Sequence, residues 1–193
     1  MIRPTLAGLA KMLAVGAVWG SILDGFHTHS GTTSYPDPVF AMASWWVPLI
    51  FAGAYTLGGI GWANARRMMG AAPISPLARW TCAIAFSGLY FASGYLPASN
   101  PAKLVVLITG FFVLWLATDR SIGTLFVGLL AALLGPTTEI ILVHVHAFAH
   151  LQTDFAGIPI WLPGLYFASS PGAGPLMAWL GFGDARAANP VAA

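Results

Sequence analysis

Residues 121–145 read SIGTLFVGLLAALLGPTTEIILVHV, and they follow Trp115-Leu-Ala-Thr-Asp119-Arg120. An acid and a base therefore stand side by side between two long apolar runs, Leu104–Thr118 and Ile122–Val143. The 193 residues carry only eight Lys and Arg and six Asp and Glu, so a charge pair placed there marks a membrane boundary. A spanning helix needs about 20 apolar residues. The run after the pair supplies that length, and the run before it comes close.

Composition extends this reading to the whole chain. Hydrophobic residues make up 58% and charged residues 7%, with a mean hydropathy of +0.77. A soluble domain carries roughly 25% charge, so the expectation is an all-α integral membrane protein. The length fits one transmembrane domain over 1–193, with six helices at about 6–26, 40–62, 76–96, 102–118, 122–146 and 159–180. The net charge of +2 is too small and too scattered for a nucleic-acid surface. The single Cys82 excludes an internal disulfide. Arg3 and Lys11 precede an apolar run as in a secretory leader. No small-x-small cleavage site follows, and Asp24 and His27 come directly after, so we expect an uncleaved first helix.

With the N-terminus inside, Arg3, Lys11, Arg66, Arg67, Arg79, Arg120 and Arg186 all fall on the cytoplasmic side, and Lys103 alone falls outside. That asymmetry predicts cytoplasmic termini. In the fifth helix, Gly123, Gly128, Ala131, Ala132 and Gly135 stand at close-packing spacing. Pro136 removes a backbone donor and bends it. These features, with Glu139, predict a bundle arranged around a central fifth helix. Trp46-Val-Pro48 and Trp161-Leu-Pro163 each precede aromatic and glycine residues and are each expected to open a helix from the outer side.

The string SWWVPLIFAGAYTLGGIG resembles the second-helix region of the Insig proteins, where a tryptophan pair precedes Val-Pro. WLATDRS resembles that family's Trp-Trp-x-x-Asp-Arg-Ser, and TDFAGIPIWLPGLYFASSPGAG resembles its Asp-Phe and Trp-Leu-Pro block before a glycine-rich last helix. The blocks occur in order over roughly residues 40–180. The resemblance implies a non-enzymatic helical bundle holding a lipid in a membrane-embedded cavity. In eukaryotes such proteins sit in the endoplasmic reticulum, bind oxysterols and tether the escort protein Scap. It also implies that Asp119 contacts a partner and that Trp115 borders the lipid. The family's second tryptophan is Leu116 here, and its tyrosine-rich outer end is histidine-rich here. The short, Ala- and Gly-rich chain suggests a prokaryotic relative, in which case the plasma membrane is the expected location.

The residues also admit readings of their own. Asp119 is expected to cap the fifth helix, with Arg120 anchoring the cytoplasmic edge; as a functional pair they would contact a partner or a lipid headgroup. Glu139 lies within a span, where a carboxylate is costly and faces a cavity or a partner. Trp46, Phe86, Trp115 and Glu139 are therefore expected to line a lipid cavity. The histidines gather at the outer end, and His144, His146 and His150 are weak candidates for a metal, since neutral imidazoles near carboxylates suit zinc. No His-Glu-x-x-His, P-loop, dinucleotide fingerprint or Gly-x-Ser-x-Gly is present. The leading expectation is thus a regulatory or scaffolding protein with no catalytic residues and no cofactor. Its ligand would be a neutral lipid, diacylglycerol-like or sterol-like, and small residues on several helix faces permit a homo-oligomer. The competing expectation is a small membrane enzyme or transporter acting on lipids at the outer face through Glu139 and the histidines.

Overall fold

The computed structural model describes residues 1–39, 42–118 and 120–188. The element order is α1 (Leu6–His29), β1 (Thr33–Ser34), α2 (Val47–Met68), α3 (Pro76–Tyr95), α4 (Asn100–Thr118), α5 (Ile122–His144), β2 (Ala149–His150) and α6 (Leu162–Ala188). Helices α1, α4 and α5 are each long and apolar enough to cross a membrane. The chain is a helical integral membrane protein.

Local chemistry sets the helix starts. Thr5 caps α1 by accepting from Gly8 N, and Ser75 caps α3 by accepting from Ala78 N, with Pro76 in the first turn. Helix α5 is capped by Ser121, whose Oγ accepts from Thr124 N at 3.1 Å. This corrects the expectation that Asp119 caps that helix; Asp119 itself lies outside the described residues. The second helix starts at Val47 rather than near residue 40. Pro48 fits only a first turn without losing a hydrogen bond, so Trp46 becomes the N-cap residue. The same helix runs on to Met68, placing Arg66 and Arg67 in its last turn, where the helix dipole favours cations.

The centre of the bundle is α6, not α5. Helix α6 packs against each of the other five helices, whereas α5 packs chiefly on α6 and α2. Residues 170–178 of α6 are buried without a break. On α5, Gly123, Thr124, Gly128 and Pro136 are buried, while Leu129, Leu130, Leu133 and Leu134 face outward. The physical reason is the distribution of small residues. Those of α5 make one narrow stripe, enough for one or two neighbours. Helix α6 carries Ser169-Ser170-Pro171-Gly172-Ala173-Gly174, small on every side, so neighbours can approach from all round. Phe86 of α3 and Trp62 of α2 pack where a Cβ on Gly172 and Gly174 would sit, 2.4 and 2.6 Å away. The helix breaks at Gly183, whose φ of 72° and ψ of 177° suit glycine.

The two ends of the bundle differ in charge. At one end Ile2 N donates to Asn64 Oδ1 at 2.7 Å, and α1 meets α6 at Gly8 and Gly181. Arg66, Arg79 and Arg120 belong to this end; the first two lie over the rings of Trp62 and Trp179 at 4.3 and 4.8 Å. At the other end β1 pairs antiparallel with β2, Thr33 opposite His150 and Ser34 opposite Ala149. This two-stranded lid, with its flanking loops, closes the end that carries Asp24, Glu139 and the histidines.

Candidate functional site

Gly135 and Glu139 lie one turn apart on the same face of α5. A Cβ on Gly135 would sit 2.2 Å from Cδ1 of Tyr166, so glycine leaves the room in which that ring crosses from α6. The phenol then donates to Glu139 Oε1 at 2.6 Å. The other carboxylate oxygen, Oε2, lies 2.6 Å from His150 Nε2 on the lid strand. Glu139 is thereby turned inward from an otherwise lipid-facing helix and held from two sides. Its side chain keeps 17% of its surface exposed, against 1% for His150. Each carboxylate oxygen can accept more than one hydrogen bond, so Glu139 retains capacity for a further donor.

A second carboxylate is treated in the same way. Tyr35, just past β1, donates to Asp24 Oδ2 of α1 at 2.9 Å. Burial and the neighbouring Asp24 charge push the Tyr35 phenol well above its ordinary range, so it remains a donor. Tyr35 also stacks on Phe148 at 5.7 Å and meets Trp46 at 5.6 Å. The lid is thus tied to α1 through Tyr35 and to α5 through His150, with Leu151 N donating to Thr32 O at 3.0 Å between the strands' flanks. Asp24 lies within electrostatic reach of Glu139 and His150, and Tyr90 within reach of Asp24, Glu139, Tyr55 and Tyr166. Polar side chains from α1, α2, α3, α5, α6 and the lid therefore converge on one region.

The neighbouring contacts serve structure. His27 Nε2 meets Ser93 Oγ at 2.8 Å, and its ring stacks on Tyr90 at 4.4 Å. Lys103 Nζ donates to Ser93 O at 2.8 Å, in the last turn of α3, where carbonyls lack helical partners. Trp161 Nε1 donates to Asn100 Oδ1 at 3.1 Å; Asn100 in turn donates to Asp154. The His150–Glu139 pair resembles half of a catalytic relay, but His150 Nδ1 is buried with no partner. A base in that position cannot reach a substrate while the lid is closed. Among the described residues, no group of three or more His, Cys, Asp or Glu side chains is placed to hold a metal ion. The histidine candidates separate: His150 turns inward to Glu139, whereas His144 and His146 are exposed on the surface.

No family model matches the chain. It is 27% identical over 165 residues to an insulin-induced gene 1 protein from Bos taurus, covering 81% of this chain and 59% of that one. It is 25% identical over 181 residues to the Danio rerio protein of the same name, covering 90% and 72%. The crystal structure of a mycobacterial Insig homolog from Mycobacterium vanbaalenii superposes with a TM-score of 0.79 at 20% identity, covering 92% of this chain and 95% of the other. A cross-linked trimer of that homolog gives 0.81 at 20% identity, covering 93% and 96%. The relatives and solved structures that the chain resembles are thus Insig proteins, at 20–27% identity. The chain spans 59% of the length of the bovine Insig relative.

In this Insig-like bundle the residues singled out in the sequence occupy three levels. Trp46 and Glu139 stand at the lid end, but Trp46 packs against Tyr35 rather than beside the carboxylate. Phe86 is 2% exposed in the middle of the core, edge-on to Trp19 at 6.1 Å. Trp115 lies at the far end, where its Nε1 donates to Ser121 O at 2.9 Å and pins the α4–α5 turn. Arg120 is exposed in that turn with a φ of 52°. Asp24, Tyr35 and Tyr166 are the partners that sequence reasoning did not assign. Asp24 carried a signal, an acid at the end of an apolar run, of the kind that drew attention to Glu139.

Proposed function

We propose that this protein is a non-catalytic membrane scaffold or regulator that holds one neutral lipid within its helical bundle. The bundle would cross the membrane six times, with both termini on the cytoplasmic side of a prokaryotic plasma membrane. The ligand is diacylglycerol-like or sterol-like, an apolar body with one free hydroxyl. The observation that carries this reading is Glu139: an inward-turned carboxylate, held by Tyr166 and His150, with exposed surface and acceptor capacity left over. A hydroxyl needs only one such acceptor, and lipid pockets combine apolar walls with few polar groups. Tyr55 and Tyr166 support a hollow beside it, since both lie deep in the bundle yet keep part of their surface accessible. The paired charge ends of the bundle support the orientation. The trimeric mycobacterial homolog supports self-association of this chain too. Asp119 and Arg120, at the opposite end, would serve a partner or headgroup contact on the cytoplasmic edge.

Mass spectrometry of lipid retained on the purified protein tests the reading. One hydroxyl-bearing neutral lipid should be enriched over the membrane extract, and Glu139→Leu should abolish the enrichment while the helix content holds. Equal retention by the variant, or no enriched neutral species on the wild type, refutes it.

A further inference from the structure

The strongest feature outside the site just described is a groove of about 840 Å³ on the flank of the lid. One wall is the last turn and a half of α5, with Ile140, Val143, His144 and then His146 just beyond it. The other is the lid, with Ser34, Tyr35 and Pro36 around β1 and Phe148 and Ala149 at β2. The groove is therefore graded. Ile140 and Val143 are half-buried and lie on the membrane-crossing part of α5, beside the outward-facing Leu134 and Ile141. His144 and His146 are exposed at its upper rim, at and just beyond the end of α5.

Its charge is equally one-sided. Among the described residues no Asp or Glu lines it. Glu139, the nearest carboxylate on α5, is occupied by Tyr166 and His150, and Asp24 by Tyr35. The rim therefore offers imidazole N–H donors and the Ser34 hydroxyl with no carboxylate beside them, which suits an anionic oxygen better than a cation. Apolar at bilayer depth and donor-rich at headgroup depth is the profile of a phospholipid, and the volume falls within the range of small-molecule sites, about 300–1,000 Å³.

We infer that this groove binds a phospholipid of the surrounding leaflet, its phosphate on His144 and His146 and one acyl chain along Ile140 and Val143. The site is separate from the interior one and does not depend on it. Because its walls belong both to α5 and to the lid, an occupied groove bridges the two from outside, opposite the Glu139–His150 contact within.

The test is native mass spectrometry of the full chain released from detergent micelles, titrated with phosphatidylglycerol. Wild type should carry one phospholipid per chain. The His144→Gln/His146→Gln double variant should weaken that binding about tenfold, the scale of losing one charge-assisted hydrogen bond. Ile140→Ser/Val143→Ser should weaken it comparably, and excess inorganic phosphate should not displace it. Unchanged far-ultraviolet circular dichroism and micelle-unfolding midpoint of both variants report that the fold is intact, with no reliance on an interior lipid, and so keep this test independent of the interior reading. Unchanged binding by the histidine variant overturns the inference. Displacement by inorganic phosphate also overturns it, because the occupant would then be the free anion.

Discussion

The Tyr166–Glu139 contact can be weighed by a double-mutant cycle. Its geometry makes the cycle unusually clean. The Tyr166 ring lies in the space that Gly135 leaves, so phenylalanine at 166 keeps the ring in place and removes only the hydroxyl. Glu139→Leu keeps similar bulk and removes the acceptor, so each single change deletes the contact. Interhelical hydrogen bonds within membranes average about 0.6 kcal/mol and reach about 1.7 kcal/mol, because the unfolded chain also finds partners in lipid. A contact as short as 2.6 Å to a carboxyl oxygen belongs at the upper end of that range, where short carboxyl hydrogen bonds, about 1.5–3 kcal/mol, begin. The two arguments overlap near about 1.5 kcal/mol, which is the expected coupling energy. Tyr166→Phe alone should cost about 2 kcal/mol, because it also leaves one Glu139 oxygen without its donor. Unfolding in mixed detergent and SDS micelles, followed by far-ultraviolet circular dichroism, measures all four corners. Independent sites add to within about 0.5 kcal/mol. A coupling smaller than that would mean the two side chains do not hold each other, and Glu139 would lose its role as an oriented handle.

Tyr35→Phe removes one of the two ties that hold the lid, so amide exchange at Thr33 and His150 should quicken while the helices remain protected. Tyr35 also gives the contact a pH signature: its phenol is raised above the ordinary 10.0 in the folded state. Its contribution is therefore full below about pH 10 and falls as pH rises further, because the unfolded chain loses that proton first. A lid that loosens between pH 7 and 9 in the wild type would contradict this assignment. At the opposite end, a Cβ on Gly8 would lie 2.2 Å from the Gly181 carbonyl oxygen, where backbone meets backbone and no side chain can give way. Gly8→Leu should destabilise the bundle by about 3 kcal/mol or more through overpacking, measured by the same micelle unfolding, and a loss under 1 kcal/mol would show that α1 and α6 do not cross there.

Much of the fold was legible because the physics that inserts a helix into a membrane is local. Apolar runs of the right length, bounded by Arg, Pro and Gly, placed α3, α4 and α5 to within a few residues of their observed ends. Helix α2 was misplaced because apolarity continued through Met42, Trp45 and Trp46, and only Pro48 reveals that these residues precede the helix. The central helix was misjudged for a different reason. A glycine count finds close packing but not how many faces it occupies; Thr124 and Gly128 lie one above the other on α5, whereas 170–178 of α6 are small or apolar in every direction. Glu139 was legible as a charge within a span, since no bilayer leaves such a group unpartnered. Its partners were not. His150 reaches it only because a two-residue strand pairs with Thr33, and strands that short carry no alternation to read. The interior handle and its lid are thus joined by the part of the chain with the weakest sequence signal. That weakness has a physical meaning as well: two short strands and two side-chain ties can open without unfolding a helix, as entry from that end to the proposed interior lipid site would require.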